Sequence, residues 1–339
     1  MRRKACFFAR VKEKSHLNMM QWYKNDIQIL KELGFDVKVA TRFSEIPFDV
    51  DFYFSWWATT SIFPMIMAKI RGKPIIVVAG GSEVVHRVKD LPSGYRDKPF
   101  IVQQVIKYCL RHATAVISVS KTVMREVDAL GAKNNVLIYN AIDTETYKPA
   151  LLSQRNIVFT ISQLNRNHML IKRFFTIIKA AKLIIEDYPN IKFVIAGPKS
   201  EQEVIDKMNR AISDNGLNKH IVLPGEVYEK DKLYYFSRSL IYLHPTIYET
   251  FGLAIAEAMS CGVPVVTSRV AAVPEVVGDC GLYADPDDPK DVADKVKLLL
   301  VNDELKKELA EKGRQRIKEN FSYEIRRQRI KELLDAILS

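Results

Sequence analysis

The sequence predicts an α/β protein made of two doubly wound parallel sheets, and three observations predict it. Short β-branched runs, for example residues 75–79 and 192–196, alternate with longer segments of helical periodicity. This alternation stops at a polar stretch near residue 150 and then starts again. The chain of 339 residues is also long enough for two domains of ordinary size.

The first half of the chain alternates regularly between strand and helix patterns. Strands are predicted at residues 4–10, 37–41, 51–55, 75–79, 115–119 and 136–139, and helices at residues 17–33, 60–70, 100–111 and 122–129. Gly34 and Gly131 end two of these helices, because glycine adopts the left-handed conformation at a helix end without steric cost.

The second half repeats the pattern. Strands are predicted at residues 157–162, 192–196, 221–223, 239–243 and 265–267, and helices at residues 172–186, 201–215, 230–237, 250–260, 289–317 and 324–338. Thr250 is the predicted N-cap of the helix 250–260, Gly262 its left-handed terminal residue, and Pro264 prevents its continuation. We therefore expect an N-terminal domain over residues 1–149 and a C-terminal domain over residues 150–321.

The net charge of +11 is concentrated in the N-terminal half. Residues 1–150 contain 23 Lys and Arg against 14 Asp and Glu, whereas the remaining residues contain 28 against 26. A basic half favours an anionic partner, such as a lipid-linked acceptor or an anionic membrane surface, although a solvated basic surface explains the charge equally well. No nucleic-acid-binding motif accompanies the charge, so nucleic acid is not an expected partner.

The cysteines and the N-terminus indicate a cytoplasmic protein, with peripheral contact to the inner face of the membrane as an option. The four cysteines are scattered without metal-binding or disulfide-like spacing, and we expect them to be buried. The apolar run after the basic N-terminus is too short for a signal peptide, and no run is long enough to span a bilayer.

The helix that begins near Phe251-Gly252-Leu253 carries the strongest functional signal. Its first N–H groups and its positive dipole end suit a phosphate, and the glycine allows a ligand to approach the backbone. Glu257 is the single charge in its apolar run, so it needs a hydrogen-bond donor such as a sugar or ribose hydroxyl. Glu249 lies eight positions earlier, at the loop–helix junction. The alternative is an ordinary buried helix whose acid pairs with a neighbouring cation.

This stretch, Y-E-T-F-G-L-A-I-A-E-A-M-S-C-G-V-P-V-V, resembles the E-x7-E element of retaining glycosyltransferases of family 4. The resemblance implies the GT-B fold, in which two Rossmann-like domains face each other across a cleft and the last helix, here residues 322–339, joins the N-terminal domain. It also implies that Glu257 holds the ribose of a nucleotide sugar. Glu249 and the backbone amides of Phe251, Gly252 and Leu253 would hold the sugar and diphosphate, and Thr250 replaces the glycine usual there.

The loop from Ser162 to Arg173 is the second candidate for the donor site. Relatives carry an arginine and a lysine here that grip the diphosphate, but Gln163 stands in the arginine position. The resemblance therefore implies contacts from Lys172, with Arg166 or Arg173 as substitutes for the missing arginine, unless these are solvated loop charges. Loops after later strands, including the one at Gly197, would select the base and the sugar.

Two further stretches of the N-terminal half are candidates for ligand contacts. Gly80-Gly81 follow a central strand, where backbone N–H groups approach a donor, although a simple structural turn is the alternative. Relatives often have a histidine where Gly80 stands. After the first strand, a loop brings four basic or titratable side chains that favour an anionic acceptor or are simply solvated. These are Arg10, Lys12, Lys14 and His16.

The resemblance thus implies a retaining, metal-independent glycosyltransferase. It would move a hexose-type sugar from a UDP- or GDP-linked donor to a lipid-linked or glycan acceptor, without a further cofactor. The D-V-D at residues 49–51 matches a metal motif of a different transferase fold and is interpreted as coincidence, because it lacks supporting residues. Two alternatives stay open: a nucleotide-sugar epimerase of the same fold, and a non-catalytic basic scaffold whose donor site has decayed.

Overall fold

The computed structural model describes residues 2–86, 94–150 and 155–339. They form two compact units, Met1–Ala141 with Tyr323–Ser339, and Ile142–Ser322, each with its own buried core. The domain boundary between residues 149 and 150 stays a prediction, and part of the polar stretch beside it, residues 151–154, lies outside the described residues.

The first unit is a doubly wound α/β domain. Its strands are β1 (Lys4–Phe8), β2 (Asp36–Ala40), β3 (Phe52–Trp56), β4 (Ile75–Ala79), β5 (Ala115–Ser118) and β6 (Asn135–Leu137). Its first helices are α1 (His16–Met19), α2 (Gln21–Glu32), α3 (Ile62–Arg71), α4 (Phe100–His112) and α5 (Lys121–Ala129). Its described strands form one parallel sheet in the order β2-β1-β3-β4-β5-β6. Strands β3, β4 and β5 are buried throughout, as expected for a parallel sheet covered on both faces.

The second unit repeats this architecture. Its strands are β7 (Ile157–Ile161), β8 (Lys192–Ala196), β9 (Ile221–Val222), β10 (Ser239–His244), β11 (Val265–Thr267) and β12 (Leu282–Tyr283). Its helices are α6 (Arg166–Ile171), α7 (Phe174–Ile185), α8 (Gln202–Asp214), α9 (Glu229–Arg238), α10 (Leu253–Ser260), α11 (Val273–Val277), α12 (Pro289–Val301) and α13 (Asp303–Asn320). The described strands pair in parallel in the order β12-β11-β10-β7-β8-β9. The predicted pair of doubly wound parallel sheets is therefore confirmed.

The last helix, α14 (Tyr323–Leu338), packs in the first unit. Ile330 and Leu334 are buried in the core of that unit. Arg326, which is 2% exposed, forms a two-pronged ion pair with Asp26 of α2 at 2.7 and 2.9 Å. Helix α14 is thus anchored to the first unit by both apolar packing and a buried charge pair with α2.

Two predicted helices are interrupted. The predicted helix 17–33 breaks at Met20, which has an extended backbone (φ −87°, ψ 109°) between α1 and α2. The predicted helix 289–317 breaks at Asn302, whose side chain accepts the Leu305 N–H at 2.9 Å and so caps α13. Among the described residues, no helix combines the length and the apolar character needed to cross a membrane. The four cysteines are free and buried, as predicted.

Candidate functional site

The carboxyl ends of β7 and β10 mark the point where the strand order of the second sheet reverses. From β7 the chain continues outward through β8 and β9, and then returns to place β10 on the other side of β7. Ligands of open α/β sheets bind at such a reversal, beyond the carboxyl ends of the strands. The loops that leave β7 and β10 are therefore the natural place for a binding site.

The loop after β10 is fastened to the end of α6. The Thr246 hydroxyl and the Ile247 N–H both donate to the carbonyl of Ile171, at 3.1 and 2.9 Å. Thr246 is fully buried, and its own N–H donates to the Ser268 hydroxyl at 3.2 Å. Since Ile171 immediately precedes Lys172, these bonds bring Lys172 next to a loop that is distant in sequence.

Glu249 is the centre of a hydrogen-bonded group, here called the Glu249 cluster, with Lys172, His244 and Tyr242. The Lys172 ammonium contacts Glu249 Oε1, and His244 Nε2 lies 2.8 Å from the same oxygen. The Tyr242 hydroxyl lies 3.2 Å from His244 Nδ1. If His244 is neutral, one arrangement satisfies all of them: Tyr242 donates to Nδ1, while Nε2–H and the ammonium donate to the carboxylate.

The charges of the cluster follow from its burial and contacts. Burial alone would raise the pKa of Glu249, but the Lys172 charge and the His244 hydrogen bond outweigh it and lower that pKa to about 2. Burial and the Lys172 charge lower the pKa of His244, which is 3% exposed. At neutral pH the cluster therefore holds one carboxylate, one ammonium and a neutral imidazole.

The pKa of His168 predicts an acid-sensitive second unit. Burial and the Lys172 charge lower it to about 4. The unfolded chain thus binds more protons than the folded one below about pH 6.5, so the free energy of unfolding should fall as the pH drops towards 4. Glu249 adds its own loss only below about pH 4.5, because its pKa is depressed from there.

Urea unfolding between pH 6.5 and 4.5 tests this expectation. His168→Gln should make the free energy of unfolding less dependent on pH over that range, and the remaining slope should shrink further in a double variant with His244→Gln. If the free energy of unfolding depends equally on pH in the wild type and both variants, the lowered pKa values of His168 and His244 are contradicted.

The N-cap of helix α10 is Gly252, not Thr250, so the predicted N-cap is wrong. Gly252 has a left-handed backbone (φ 96°) and caps the helix without a side-chain hydrogen bond. The first N–H groups of a helix lack intrahelical partners, and no cap side chain occupies them at this end. Phe251 is buried and packs edge-on against Phe321 at 5.6 Å. The helix start is thus fixed in place, with Leu253 as its first residue.

Glu257 has a basic partner within the unit. It is 4% exposed, and its Oε1 accepts from the Lys232 ammonium of α9 at 2.7 Å. The same ammonium lies 5.1 Å from the centre of the buried Tyr147 ring. The alternative in which the acid pairs with a neighbouring cation therefore describes Glu257 as it stands, and a ribose hydroxyl would share the carboxylate with Lys232.

The three cations predicted around residues 166–173 have different surroundings. Lys172, which is 8% exposed, follows α6 and contacts Glu249. Arg166 forms an exposed ion pair with Glu203 at 3.0 Å. Arg173 has a left-handed backbone (φ 48°) and pairs with Asp287 at 2.7 Å. The predicted helix start at Lys172 is wrong, because Lys172 and Arg173 lie between the end of α6 and the start of α7.

A family model matches a large part of this unit. The family described as "Glycosyl transferases group 1" matches residues 141–316, which is more than half of the chain. The chain belongs to this glycosyltransferase family. The family resemblance predicted from the motif around Glu249 and Glu257 is thereby confirmed.

Relatives of this glycosyltransferase align over different shares of it. O-antigen chain mannosyltransferase B of Escherichia coli is 42% identical over 100 residues, which are 30% of this chain and 26% of that protein. N-acetyl-alpha-D-glucosaminyl L-malate synthase of Bacillus anthracis is 26% identical over 66% of this chain and 60% of its own length. The capsular polysaccharide glycosyltransferase CapM of Staphylococcus aureus is 23% identical over 89% and 80%. The chain thus spans less than two thirds of the first two relatives.

Solved structures similar to this glycosyltransferase share its fold along the whole chain. Anabaena HepE in complex with UDP and glucose superposes with a TM-score of 0.78, at 17% identity, over 98% of this chain and 100% of that one. Sucrose-phosphate synthase of Thermosynechococcus elongatus gives a TM-score of 0.81, at 16% identity, over 99% of both chains. The glycosyltransferase therefore has the GT-B fold, as predicted.

Gly197 brings the turn after β8 against the turn after β7. Its backbone is in a region that favours glycine (φ 144°), and its N–H donates to the Gly225 carbonyl at 2.8 Å. A Cβ at this position would lie 1.7 Å from the carbonyl oxygen of Ser162. The two loops at this edge of the sheet can approach each other only because residue 197 lacks a side chain.

We expect Gly197→Ala to destabilise the second unit by roughly 3 kcal/mol or more, because the clash is with backbone and cannot be relieved by a rotamer change. Gly216→Ala is the matched control, since Gly216 also has positive φ (70°) but open space where a Cβ would lie. Backbone strain alone should cost the control roughly 1–2 kcal/mol. Urea unfolding compares the two, and equal losses would refute the steric argument.

Gly80 and Gly81 use their backbone N–H groups within the first unit. They donate to Glu83 Oε1 and Oε2 at 3.1 and 3.0 Å, and burial raises the pKa of this 3%-exposed acid. A Cβ on Gly80 would lie 2.3 Å from the Trp57 ring. The structure therefore favours the alternative of a structural turn, and a donor contact here would first have to displace Glu83.

The basic residues after β1 have different surroundings. Arg10 and Lys12 are exposed and line a groove of the first unit. Lys14 pairs with Glu45 at 3.3 Å, and His16 is half-buried at the start of α1. Within the part of the chain that the structure describes, Arg10 and Lys12 have no ion pair, whereas Lys14 pairs locally and His16 lies at a helix start.

His244, Tyr242 and Lys232 were not predicted from the sequence. His244 and Tyr242 are two positions apart near the end of a strand, so their side chains share one face. Two polar side chains in register on a buried strand were a usable signal for the cluster. Lys232 offered no such signal, because its partner Glu257 comes from a different helix.

Proposed function

We propose that this glycosyltransferase is retaining and metal-independent, and that it moves a hexose-type sugar from a UDP- or GDP-linked donor to a lipid-linked or glycan acceptor in polysaccharide or glycoconjugate synthesis. The observation that carries the proposal is the buried Glu249 cluster, which lies at the reversal of the second sheet. Relatives named for O-antigen chains and capsular polysaccharide, and the UDP complex of Anabaena HepE, support this donor and acceptor class.

Lys172 and the start of α10 would hold the diphosphate. The ammonium is a fixed positive charge with Glu249 as its anchor, and the first amides of α10 add donors and the positive end of a helix dipole. Arg166 and Arg173 would have to leave Glu203 and Asp287 to reach the same group. We therefore assign the main contact to Lys172 and secondary contacts to the two arginines.

Glu257 would hold the ribose, and Glu249 would orient the sugar. Both carboxylates keep hydrogen-bond acceptor capacity for hydroxyl groups of a ligand. Glu249 stays ionised well below neutral pH because its pKa is about 2, so it is suited to accept hydrogen bonds and unsuited to deliver a proton. The loop at Gly197 would contribute backbone to the same donor site.

The chemistry needs few side chains of the protein. The bond between the anomeric carbon and the diphosphate breaks, and the acceptor oxygen attacks from the same face, which retains the configuration. The departing diphosphate takes up the acceptor proton. The charge that develops on it is stabilised by Lys172 and the α10 amides, and this electrostatic contribution takes the place of a bound divalent cation.

A screen of nucleotide sugars tests the proposal. Wild-type protein is incubated with UDP-, GDP- and ADP-sugars, with and without EDTA. Proton NMR follows the released sugar in situ, so that its anomeric configuration is read before mutarotation, and the nucleotide products are then separated by chromatography. We expect release of sugar with retained anomeric configuration from one donor class, undiminished by EDTA. Inverted sugar or loss in EDTA would refute the retaining or metal-independent assignment. A changed sugar still attached to its nucleotide would indicate the epimerase, and no reaction or nucleotide binding would indicate the scaffold.

We also propose a cytoplasmic location, with peripheral contact of the basic first unit to the inner face of the membrane. The excess of Lys and Arg over Asp and Glu in residues 1–150 supports it. Fractionation of cells that express the tagged chain tests it. Release from membranes by high salt is the expected result, and recovery in the soluble fraction at low salt would contradict the membrane contact.

A further inference from the structure

A groove of about 610 Å³ in the first unit combines a cationic rim with an aromatic floor. Arg10 and Lys12 from the loop after β1, and Arg42 from the loop after β2, supply the charges. The rings of Phe8, Phe43 and Phe63 supply the apolar part. Both strands end at the same edge of a parallel sheet, where doubly wound domains bind their ligands.

The three rim cations have no carboxylate partner among the residues that the structure describes, and all three are exposed. Two acids lie near these cations in sequence: the exposed Glu13, whose Oε2 accepts from the Ser15 hydroxyl at 3.3 Å, and Glu45, which is engaged elsewhere. Glu45 accepts from the Thr41 N–H and hydroxyl at 2.9 and 3.1 Å and pairs with Lys14 at 3.3 Å. The rim therefore keeps a local excess of positive charge, which is complementary to a phosphate or diphosphate.

The aromatic floor is more than such a phosphate requires. Phe43 is 50% exposed, and its ring centre lies 5.5 Å from that of Phe63. Phe63 in turn lies 6.4 Å from the buried Phe8. This row of rings leads from solvent to the sheet, directly beside the cations. Exposed apolar surface next to unpaired cations matches a ligand that carries an anionic head and an apolar chain.

We propose that this groove binds the acceptor, and that the acceptor is a hydroxyl-bearing molecule linked to a long-chain lipid phosphate or diphosphate. The hydroxyl oxygen attacks the sugar, and its proton goes to the departing diphosphate. Arg10, Lys12 and Arg42 hold the phosphate, and Phe43 and Phe63 cover the first segment of the chain. The inference rests on the proposed function, since it supplies the substrate class that the transfer reaction would use. It narrows the acceptor from lipid-linked or glycan to one recognised through phosphate and an adjoining apolar chain.

Binding of decyl phosphate, below its micelle concentration, tests the inference on the full chain. Isothermal titration should show binding of decyl phosphate, weaker binding of inorganic phosphate and none of the neutral decyl glucoside. The triple variant Arg10→Gln, Lys12→Gln, Arg42→Gln should bind decyl phosphate roughly 10- to 100-fold more weakly, because it loses charge-assisted contacts. Phe43→Ser should weaken the binding of decyl phosphate roughly tenfold and leave the binding of inorganic phosphate unchanged.

A second triple variant serves as the control for charge. Lys31, Arg125 and Lys133 are exposed cations of the same unit, outside the groove lining, and have no ion pair among the described residues. Their replacement by glutamine changes the net charge equally and should leave the affinity unchanged. Equal losses of decyl phosphate affinity in the two triple variants would show that the groove is not the binding site. An unchanged affinity of Phe43→Ser for decyl phosphate would show that the groove does not bind the apolar chain and is a phosphate site only.

Two further outcomes separate this inference from its neighbours. Sedimentation with phosphatidylglycerol vesicles that depends on the rim cations, without binding of decyl phosphate, would assign the groove to a membrane surface instead. Sugar release from a nucleotide sugar by wild-type protein is measured in parallel. Sugar release without decyl phosphate binding overturns the inference and leaves the proposed function intact. Decyl phosphate binding through the groove without sugar release supports the lipid-phosphate site and overturns the proposed function.

Discussion

Replacing Glu249 with glutamine should lower the rate of sugar transfer roughly 10²- to 10³-fold, the loss typical of removing one preorganised electrostatic contact. Glutamine keeps the shape of the side chain but removes its charge. Lys172, which is only 8% exposed, then loses its counter-charge, and His244 loses a charged acceptor. The ammonium is no longer held where the departing diphosphate needs it. Steady-state kinetics with the donor identified by the screen measures the loss.

Glu186→Gln is the matched control, because Glu186 is an exposed acid of the same unit at the end of α7. We expect it to keep the wild-type rate. Near-UV circular dichroism verifies that both variants are folded. A Glu249→Gln variant that is folded and as active as wild type would show that the Glu249 cluster has no part in the mechanism.

Replacing Arg326 with alanine should destabilise the first unit by about 3–5 kcal/mol. The side chain is fully buried and bonds to both oxygens of Asp26, and it also donates to the carbonyls of Ile138 and Tyr139 at 3.0 and 2.7 Å. Without it, a carboxylate that is 0% exposed loses its counter-charge, and Trp56 remains its neutral donor at 2.9 Å. Urea unfolding should show a lower midpoint.

The ion pair of Arg329 with Glu332 lies on the same helix at 3.1 Å but is exposed. Arg329→Ala should therefore leave the urea midpoint close to that of the wild type. A double variant, Asp26→Asn with Arg326→Met, removes both buried charges and keeps an acceptor for Trp56. It should recover part of the stability lost in Arg326→Ala. Equal effects of the Arg326 and Arg329 variants would show that the buried pair has no special weight in anchoring α14.

The fold was predictable because its signals are local. Buried β-branched runs such as Ile75–Ala79 and Lys192–Ala196 alternate with helical patterns, and this repetition is typical of doubly wound sheets. The errors lie where the backbone conformation of a single residue decides where a helix begins or breaks. Met20 interrupts a helical pattern without any proline or glycine, and Gly252 takes the N-cap position that the pattern assigns to Thr250. Such choices depend on tertiary contacts, which the pattern does not contain.

The candidate site was predictable to the extent that its residues lie in one stretch or in a motif. Glu249, Gly252 and Glu257 were identified in this way, and Lys172 through the resemblance of its loop to the family's diphosphate-binding loop. The partners His244 and Lys232 approach these acids from β10 and α9. The roles of Arg166, Gly80 and Gly81 stay predictions. The acids Glu203 and Glu83, which contact these residues inside the folded units, could not be foreseen from the motifs.

Titration of UDP and GDP into wild type, Lys172→Met and Lys179→Met tests the central claim most directly. Lys179 is an exposed lysine on α7, so its replacement controls for the loss of one positive charge. We expect one nucleotide to bind wild type and the Lys179 variant equally, and to bind folded Lys172→Met roughly 10- to 100-fold more weakly, because a charge-assisted phosphate contact is lost. Equal affinity in all three proteins, or binding of neither nucleotide to wild type, would contradict a donor site at the Glu249 cluster.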